Sequence, residues 1–258
     1  MNISAYLQFA VNALLAGIAN EHCFYYIGTN SHTHKAGAKP KKLLLHDCYG
    51  GKHALDGIIA NESMEPIIIF ECKYLPYKNR QQEITAQICT AHSAVRRRYH
   101  SIRSSIAVLA GSWSGSSIAM MKSNDINIFQ IPFSHIVDLL RARQIDFAWG
   151  EKEKEKAYQT WNSYNQLSPI EQQQIGEEMI AIIRDPLVLL VEKILDDKAK
   201  REVEKVVIEI ISNLGEVKIF EFDSVEEAVD FLNEEDLDKL FLTVNSVTLF
   251  DPPPTYDD

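Results

Sequence analysis

The chain has 258 residues and 46% hydrophobic residues, enough for one large domain, or one domain with an appendage, around a sizeable core. Its four cysteines form no C-x-x-C pair, which indicates reduced thiols in a cytoplasmic protein and argues against a disulfide framework. The formal net charge of -10 is unevenly distributed, because residues 1–150 hold 15 basic and 10 acidic side chains and residues 151–258 hold 11 and 26. The acidity therefore does not exclude a nucleic-acid partner for the first part.

The first predicted element is a helix over residues 2–20, in which apolar residues recur at helical spacing from Leu7 to Ile18. The segment is apolar enough to suggest a signal peptide, but it has no positively charged start and polar residues interrupt it. We therefore interpret it as a core helix. No run in the chain reaches the roughly 18 apolar residues of a membrane helix, so no membrane partner is expected.

A polar loop is predicted over Gly28–Lys42, and its lysines, Lys41 and Lys42 among them, either contact DNA phosphates or are simply solvated. A strand begins at Leu43 and is followed by a glycine turn. Asp47 precedes that turn and competes for a catalytic role. Lys52, after the turn, is a further candidate for a phosphate contact.

The central motif is a predicted hairpin in which Leu55–Ala60 pairs with Pro66–Cys72. The second strand is short, β-branched and continuously apolar, as expected of a buried strand. An antiparallel pairing would return Asp56 to the side of Glu71. Because side chains alternate along a strand, Glu71 and Lys73 share one face.

Two carboxylates and a lysine at one strand end suit the hydrolysis of a phosphodiester. Magnesium takes oxygen ligands, commonly one or two carboxylates with waters and substrate phosphate. We expect Asp56, Glu71 and the backbone carbonyl of Cys72 to bind Mg²⁺, with Mn²⁺ as an alternative. Lys73 would orient the attacking water or stabilise charge in the transition state. The alternative is a surface strand with an ordinary Glu-Lys pair.

These residues, in the pattern D-x14-E-x-K, resemble the PD-(D/E)xK nuclease superfamily, which includes most type II restriction endonucleases. The leading proline of the family is replaced by Leu55. The resemblance implies catalytic roles for Asp56, Glu71 and Lys73. It also implies that an acidic residue on the preceding helix can join the metal site, for which Glu21 is the candidate, against an exposed helix-end glutamate. A homodimer is expected from the resemblance alone.

A helix is predicted from about Gln81 to Tyr99, and it ends in the strongest basic cluster of the chain. We expect this cluster to contact DNA, because guanidinium groups suit phosphate; the alternative is a solvated helix end. Its arginines are Arg96, Arg97, Arg98 and Arg103.

Strands at Ser105–Ala110 and Asn127–Ile131, a loop at residues 111–115 and a helix at Phe133–Arg143 complete the first part. We predict an α/β fold with a restriction-endonuclease-like core, a central mixed sheet flanked by helices. A charge run at Gly150–Lys156 marks the predicted boundary, so that residues 1–149 form the nuclease core.

The acidic part, residues 150–250, is predicted to be a mainly helical accessory or dimerisation region. Its predicted helices are Ala157–Gln166, Pro169–Ile183, Pro186–Asn213 and Val225–Leu232, with a strand at Val217–Phe222. Residues 251–258 are predicted to be a disordered tail.

The sequence thus predicts a metal-dependent DNA endonuclease, most simply a type II restriction enzyme acting on double-stranded DNA. A repair, recombination or mobile-element nuclease with the same core is the first alternative. A non-catalytic DNA-binding or interaction protein that retains the core is the second.

Overall fold

The structure, a computed structural model, describes residues 3–28, 43–77, 80–148, 153–236 and 239–241. The described helices are α1 (Ile3–Glu21), α2 (Gln81–Arg98), α3 (Gly115–Lys122), α4 (Phe133–Arg141), α5 (Lys154–Gln166), α6 (Pro169–Leu195) and α7 (Val225–Glu234). The described strands are β1 (Tyr25–Gly28), β2 (Leu43–His46), β3 (Lys52–Leu55), β4 (Gly57–Ala60), β5 (Pro66–Leu75), β6 (Ser104–Gly111), β7 (Ile126–Pro132), β8 (Val206–Ile211) and β9 (Val217–Phe222).

A mixed five-stranded sheet in the order β1-β4-β5-β6-β7 is the centre of the fold. β1, β4 and β5 are antiparallel neighbours, whereas β5, β6 and β7 run parallel. Both faces of the middle strands are covered, and every residue of β6 is buried. This burial explains why β5 and β6 are continuously apolar in sequence and do not alternate with polar residues. The predicted α/β class with a mixed sheet flanked by helices is confirmed.

One face of the sheet is covered by α1 and α6, which share its main apolar cluster. Gly176 lets the helices approach closely, because a Cβ atom there would lie 2.5 Å from the carbonyl oxygen of Tyr6. α6 also continues through Pro186, where the sequence predicts a break. A proline inside a helix costs roughly 3 kcal/mol, and buried Ile183 and Leu187 on either side offset that cost.

The opposite face of the sheet is covered by α2 and α3. Ile88 and Cys89 of α2 and Met121 of α3 pack there on Ala107 and Leu109 of β6. The sequence predicts only a loop up to residue 115 and does not indicate α3. The hydroxyl of Ser114 caps this helix by accepting a hydrogen bond from the backbone N–H of Ser117.

The chain divides into two compact units between Asp197 and Lys198, and not near residue 150 as predicted. The reason is that α6 belongs to the first unit, where Ile180, Ile183 and Leu187 are buried in its core.

In the second unit, β8 and β9 form an antiparallel hairpin on which α7 packs through Phe231, close to the rings of Phe220 and Phe222. The prediction of a helix continuing to residue 213 is wrong, because residues 206–211 form β8. Strand β9 and helix α7 are confirmed. The predicted tail at residues 251–258 lies outside the described residues.

Candidate active site

The predicted hairpin brings Asp56 beside Glu71. β4 and β5 pair antiparallel, with Gly57 opposite Phe70, and a loop at residues 61–65 joins them. Asp56 immediately precedes the first residue of β4, and β5 continues past that level to Leu75. Glycine follows it because a Cβ at residue 57 would lie 2.2 Å from the Phe70 ring.

Asp56, Glu71 and Lys73 form one hydrogen-bonded cluster. The ammonium group of Lys73 donates to Oδ2 of Asp56 at 2.6 Å and also to Oε2 of Glu71. The same Asp56 oxygen accepts the backbone N–H of Cys72 at 2.9 Å. The carboxylate side chains are 9% and 5% exposed and the lysine 28%, so the lysine faces the opening of the site.

The two carboxyl groups ionise differently. Burial raises the pKa of Glu71 to about 8, and the adjacent Asp56 adds to the rise. Burial also opposes the ionisation of Asp56, but a hydrogen bond with Glu71 and the charge of Lys73 outweigh it and lower the pKa of Asp56. These opposite shifts favour the form in which Glu71 is protonated and Asp56 is ionised at neutral pH. Lys73 stays charged, because the two carboxyl groups raise its pKa despite its burial.

This donor set fits a divalent cation such as Mg²⁺. Among the described residues no group of three His, Cys, Asp or Glu side chains forms a metal-ligand cluster, so the site offers the carboxylates of Asp56 and Glu71. Magnesium sites commonly use one or two carboxylates and take the other ligands from water and substrate phosphate. A bound cation would also favour loss of the Glu71 proton. The predicted role of the Cys72 carbonyl stays a prediction.

Two residues for which the sequence predicts no role in the site lie near it. Tyr26 of β1 stacks on Phe70, and burial together with the charge of Asp56 raises the pKa of its phenol. His92 of α2 is fully buried. Burial, and then the charges of Lys73 and Arg96, lower the pKa of His92 to about 3. No sequence motif marks either residue, since their positions depend on strand pairing and helix packing.

Asp47, the competing carboxylate, is used in a turn. Its Oδ1 accepts the backbone N–H groups of Tyr49 and Gly51 at 2.8 Å. Its Oδ2 lies 2.9 Å from Nε2 of His53, and that hydrogen bond is the main cause that lowers the pKa of Asp47. These contacts give Asp47 a structural role between β2 and β3.

Glu21 ends α1 as an exposed residue, and its predicted part in the metal site stays a prediction. Lys41 and Lys42 lie outside the described residues. Lys52 is exposed at the start of β3, where a phosphate could reach it.

The arginine cluster at the end of α2 is partly engaged within the fold. Arg97 is exposed, whereas Arg98 donates to the carbonyl oxygen of Asp47 at 2.9 Å. Arg96 lies 3.5 Å from the carbonyl oxygen of Asp125. Arg103 is committed to the end of α6, since it donates to the Ile194 carbonyl and pairs with Asp197, at 2.8 and 2.7 Å. Of these two predicted DNA contacts, the side chain of Arg97 is therefore the more available one.

Comparisons with known proteins assign no family. No protein-family model matches the chain, and no curated protein matches it. Among solved structures, the chain is similar to the crystal structure of a protein of unknown function, AF1548, with 14% sequence identity and a TM-score of 0.31. That match covers 75% of this chain and 98% of the other, and a likeness this distant carries no argument about function.

Proposed function

We propose that this chain is a divalent-metal-dependent endonuclease that hydrolyses phosphodiester bonds in double-stranded DNA. The observation that carries the proposal is the cluster in which Lys73 bridges the buried carboxyl groups of Asp56 and Glu71. Burying carboxyl groups is costly unless they are paired or bind an ion. The hairpin and the alternation along β5 place the partly exposed Lys73 beside them, as phosphodiester hydrolysis would require.

Each residue has a proposed task. Asp56 and Glu71 would bind Mg²⁺, or Mn²⁺ as the alternative, which would polarise the phosphate and lower the pKa of a bound water. Lys73 is charged and partly exposed, and would donate a hydrogen bond to the attacking water or to a phosphate oxygen. The backbone N–H of Cys72 holds Asp56 in place.

The DNA would approach over the basic part of the chain. Residues 1–150 carry a net charge of +5, and the exposed residues Lys52 and Arg97 belong to this part. Phosphate contacts of this kind add affinity that depends on salt and not on base sequence. The protein would act in the cytoplasm as a homodimer, in which each subunit would cut one of the two DNA strands.

The test is incubation of the purified chain with supercoiled plasmid, in Mg²⁺ and in EDTA. Discrete fragments that require Mg²⁺ would support a type II restriction enzyme. A Mg²⁺-dependent smear would support a repair, recombination or mobile-element nuclease. DNA that is bound but not cut in either Mg²⁺ or Mn²⁺ would contradict the proposal and favour a binding protein.

A further inference from the structure

The ammonium group of Lys73 lies between the two carboxyl groups that are proposed to bind the metal ion. It donates one hydrogen bond to Oδ2 of Asp56, at 2.6 Å, and another to Oε2 of Glu71. One oxygen of each carboxyl group therefore points at the same cation. A metal ion that bridges two carboxylates needs the same arrangement of oxygens.

The carboxyl oxygens that face Lys73 have little capacity left for a further partner. Oδ2 of Asp56 also accepts the backbone N–H of Cys72 at 2.9 Å, so protein donors already use both lone pairs of that oxygen. The carboxyl groups of Asp56 and Glu71 are hydrogen-bonded to each other as well. Because both side chains are buried, neither can turn into solvent to offer another oxygen without leaving its packing.

A second cation cannot join Lys73 in this space without strong repulsion. Mg²⁺ binds carboxylate oxygens at about 2.1 Å, and like charges a few ångströms apart repel strongly where little water screens them. Lys73 is the group that can move, because it is only part-buried and its flexible four-carbon stem lets the ammonium group swing towards the opening of the site.

We propose that Lys73 holds the place of the metal ion in the free site, so that a divalent cation binds only as Lys73 leaves at least one of the two carboxyl groups. The exchange keeps a positive charge beside the buried carboxyl groups, which avoids the cost of leaving them without a partner. It also frees the ammonium group for a phosphate oxygen or the attacking water, the role proposed above. This inference rests on the proposed function and adds to it a competition between Lys73 and the metal ion.

The test measures the affinity of the DNA-free protein for Mg²⁺ by isothermal titration calorimetry. Lys73→Met removes the ammonium group and keeps an unbranched side chain. It should bind Mg²⁺ at least about tenfold more tightly than the wild type, the effect of removing one charge-assisted hydrogen bond made by the competing group. Lys73→Arg keeps the positive charge and should bind Mg²⁺ no more tightly than the wild type. The matched control is Lys122→Met, at an exposed lysine of α3, which should keep the wild-type affinity.

Urea unfolding shows whether the Lys73→Met protein folds and gives a second measure of the exchange. This variant leaves two buried carboxyl groups without their cation, so it should be less stable than the wild type in EDTA. Mg²⁺ should then add more stability to the variant than to the wild type, because the gain in stability follows the affinity of the folded state for the ion.

The rate at which Lys73 is acetylated in the wild-type protein gives a measure that needs no variant. An amine-reactive reagent is applied in EDTA and in Mg²⁺, and mass spectrometry follows Lys73 and Lys122. Lys73 should react severalfold faster in Mg²⁺, because its ammonium group leaves the carboxyl groups for the opening of the site. Lys122 should react at the same rate in both. If Lys73→Met does not fold in either condition, these rates decide.

An Mg²⁺ affinity of Lys73→Met that equals or falls below that of the wild type would overturn the exchange, as would a Lys73 that is acetylated equally fast with and without Mg²⁺. Tighter binding by Lys73→Arg as well would also overturn it, because the charge would then not be the competitor. Mg²⁺-dependent plasmid cleavage together with equal affinities would leave the proposed nuclease function intact. Tighter binding by Lys73→Met, with no cleavage by the wild type, would support the exchange and contradict the nuclease. No Mg²⁺ binding by any of the four proteins would contradict both.

Discussion

The buried proton on Glu71 gives the free protein a distinctive dependence on pH. The pKa of Glu71 is about 8 in the folded state and about 4.5 when the chain is unfolded. Between these values the folded state binds more protons, so the free energy of unfolding falls as the pH rises. Over pH 6.5 to 8 this group alone should lower it by roughly 1–2 kcal/mol.

That pH window separates Glu71 from its neighbours. Asp56 has a lowered pKa and is ionised in both states above pH 6, so it contributes no slope there. His92, with a folded pKa of about 3, adds stability that is lost as the pH falls below about 6.5, and it is neutral in both states above that value. Lys73 stays charged throughout.

The assay is urea unfolding in EDTA at pH 6.5 and pH 8, for the wild type and for Glu71→Gln. Glutamine keeps the size of the side chain and cannot ionise. From pH 6.5 to pH 8, the free energy of unfolding of the wild type should fall by roughly 1–2 kcal/mol relative to that of Glu71→Gln. Added Mg²⁺ should stabilise the wild type more at pH 8 than at pH 6.5, since ligands bind metal when deprotonated. A difference that is the same at both pH values would refute this account of Glu71.

Three further predictions concern DNA. Lys73→Ala should lower the single-turnover cleavage rate at least about 100-fold, as expected when a charge at the transition state is removed, while Lys122→Ala, an exposed lysine on α3, should cut normally. Replacing Arg96–Arg98 by alanine should reduce the slope of log affinity for DNA against log salt concentration by about one unit for each phosphate that is no longer bound. The control Arg184→Ala on α6 should leave this slope unchanged. An unchanged slope in the triple variant would show that the cluster is only a solvated helix end. Hydrogen exchange should show little protection by DNA in residues 198–236, because that acidic region is repelled by the phosphates; protection concentrated there would contradict the charge argument.

The hairpin and its cluster were predictable because their signals are local. A continuous β-branched run identifies β5, and alternation along it places Glu71 and Lys73 on one face. The short loop at residues 61–65 then restricts the register, which brings Asp56 to Glu71.

The predicted boundaries are wrong where buried contacts, or a strand signal inside an assumed helix, determine the structure. Pro186 suggested a helix boundary, but burial of its neighbours keeps α6 continuous. Residues 206–211 are almost all β-branched, which favours a strand, so the predicted long helix should have ended before them. The boundary placed near residue 150 followed a change of charge, whereas compact units follow buried apolar contacts.

The buried His92 shows a different limit of prediction from sequence. Helical spacing indicates which residues share a face, but not which faces meet a catalytic cluster. His92 is buried because α2 crosses back over the sheet between β5 and β6.

The most direct measurement of the central claim is the single-turnover rate of DNA cleavage in Mg²⁺ by the wild type and by Asp56→Asn. Asparagine keeps an oxygen that can accept the backbone N–H of Cys72, so the local fold should be preserved, but it removes the negative charge that would bind the metal. We predict Mg²⁺-dependent cleavage by the wild type and a rate at least about 100-fold lower for the variant, with DNA affinity in EDTA unchanged. An Asp56→Asn protein that cuts DNA at the wild-type rate would contradict the assignment of this site.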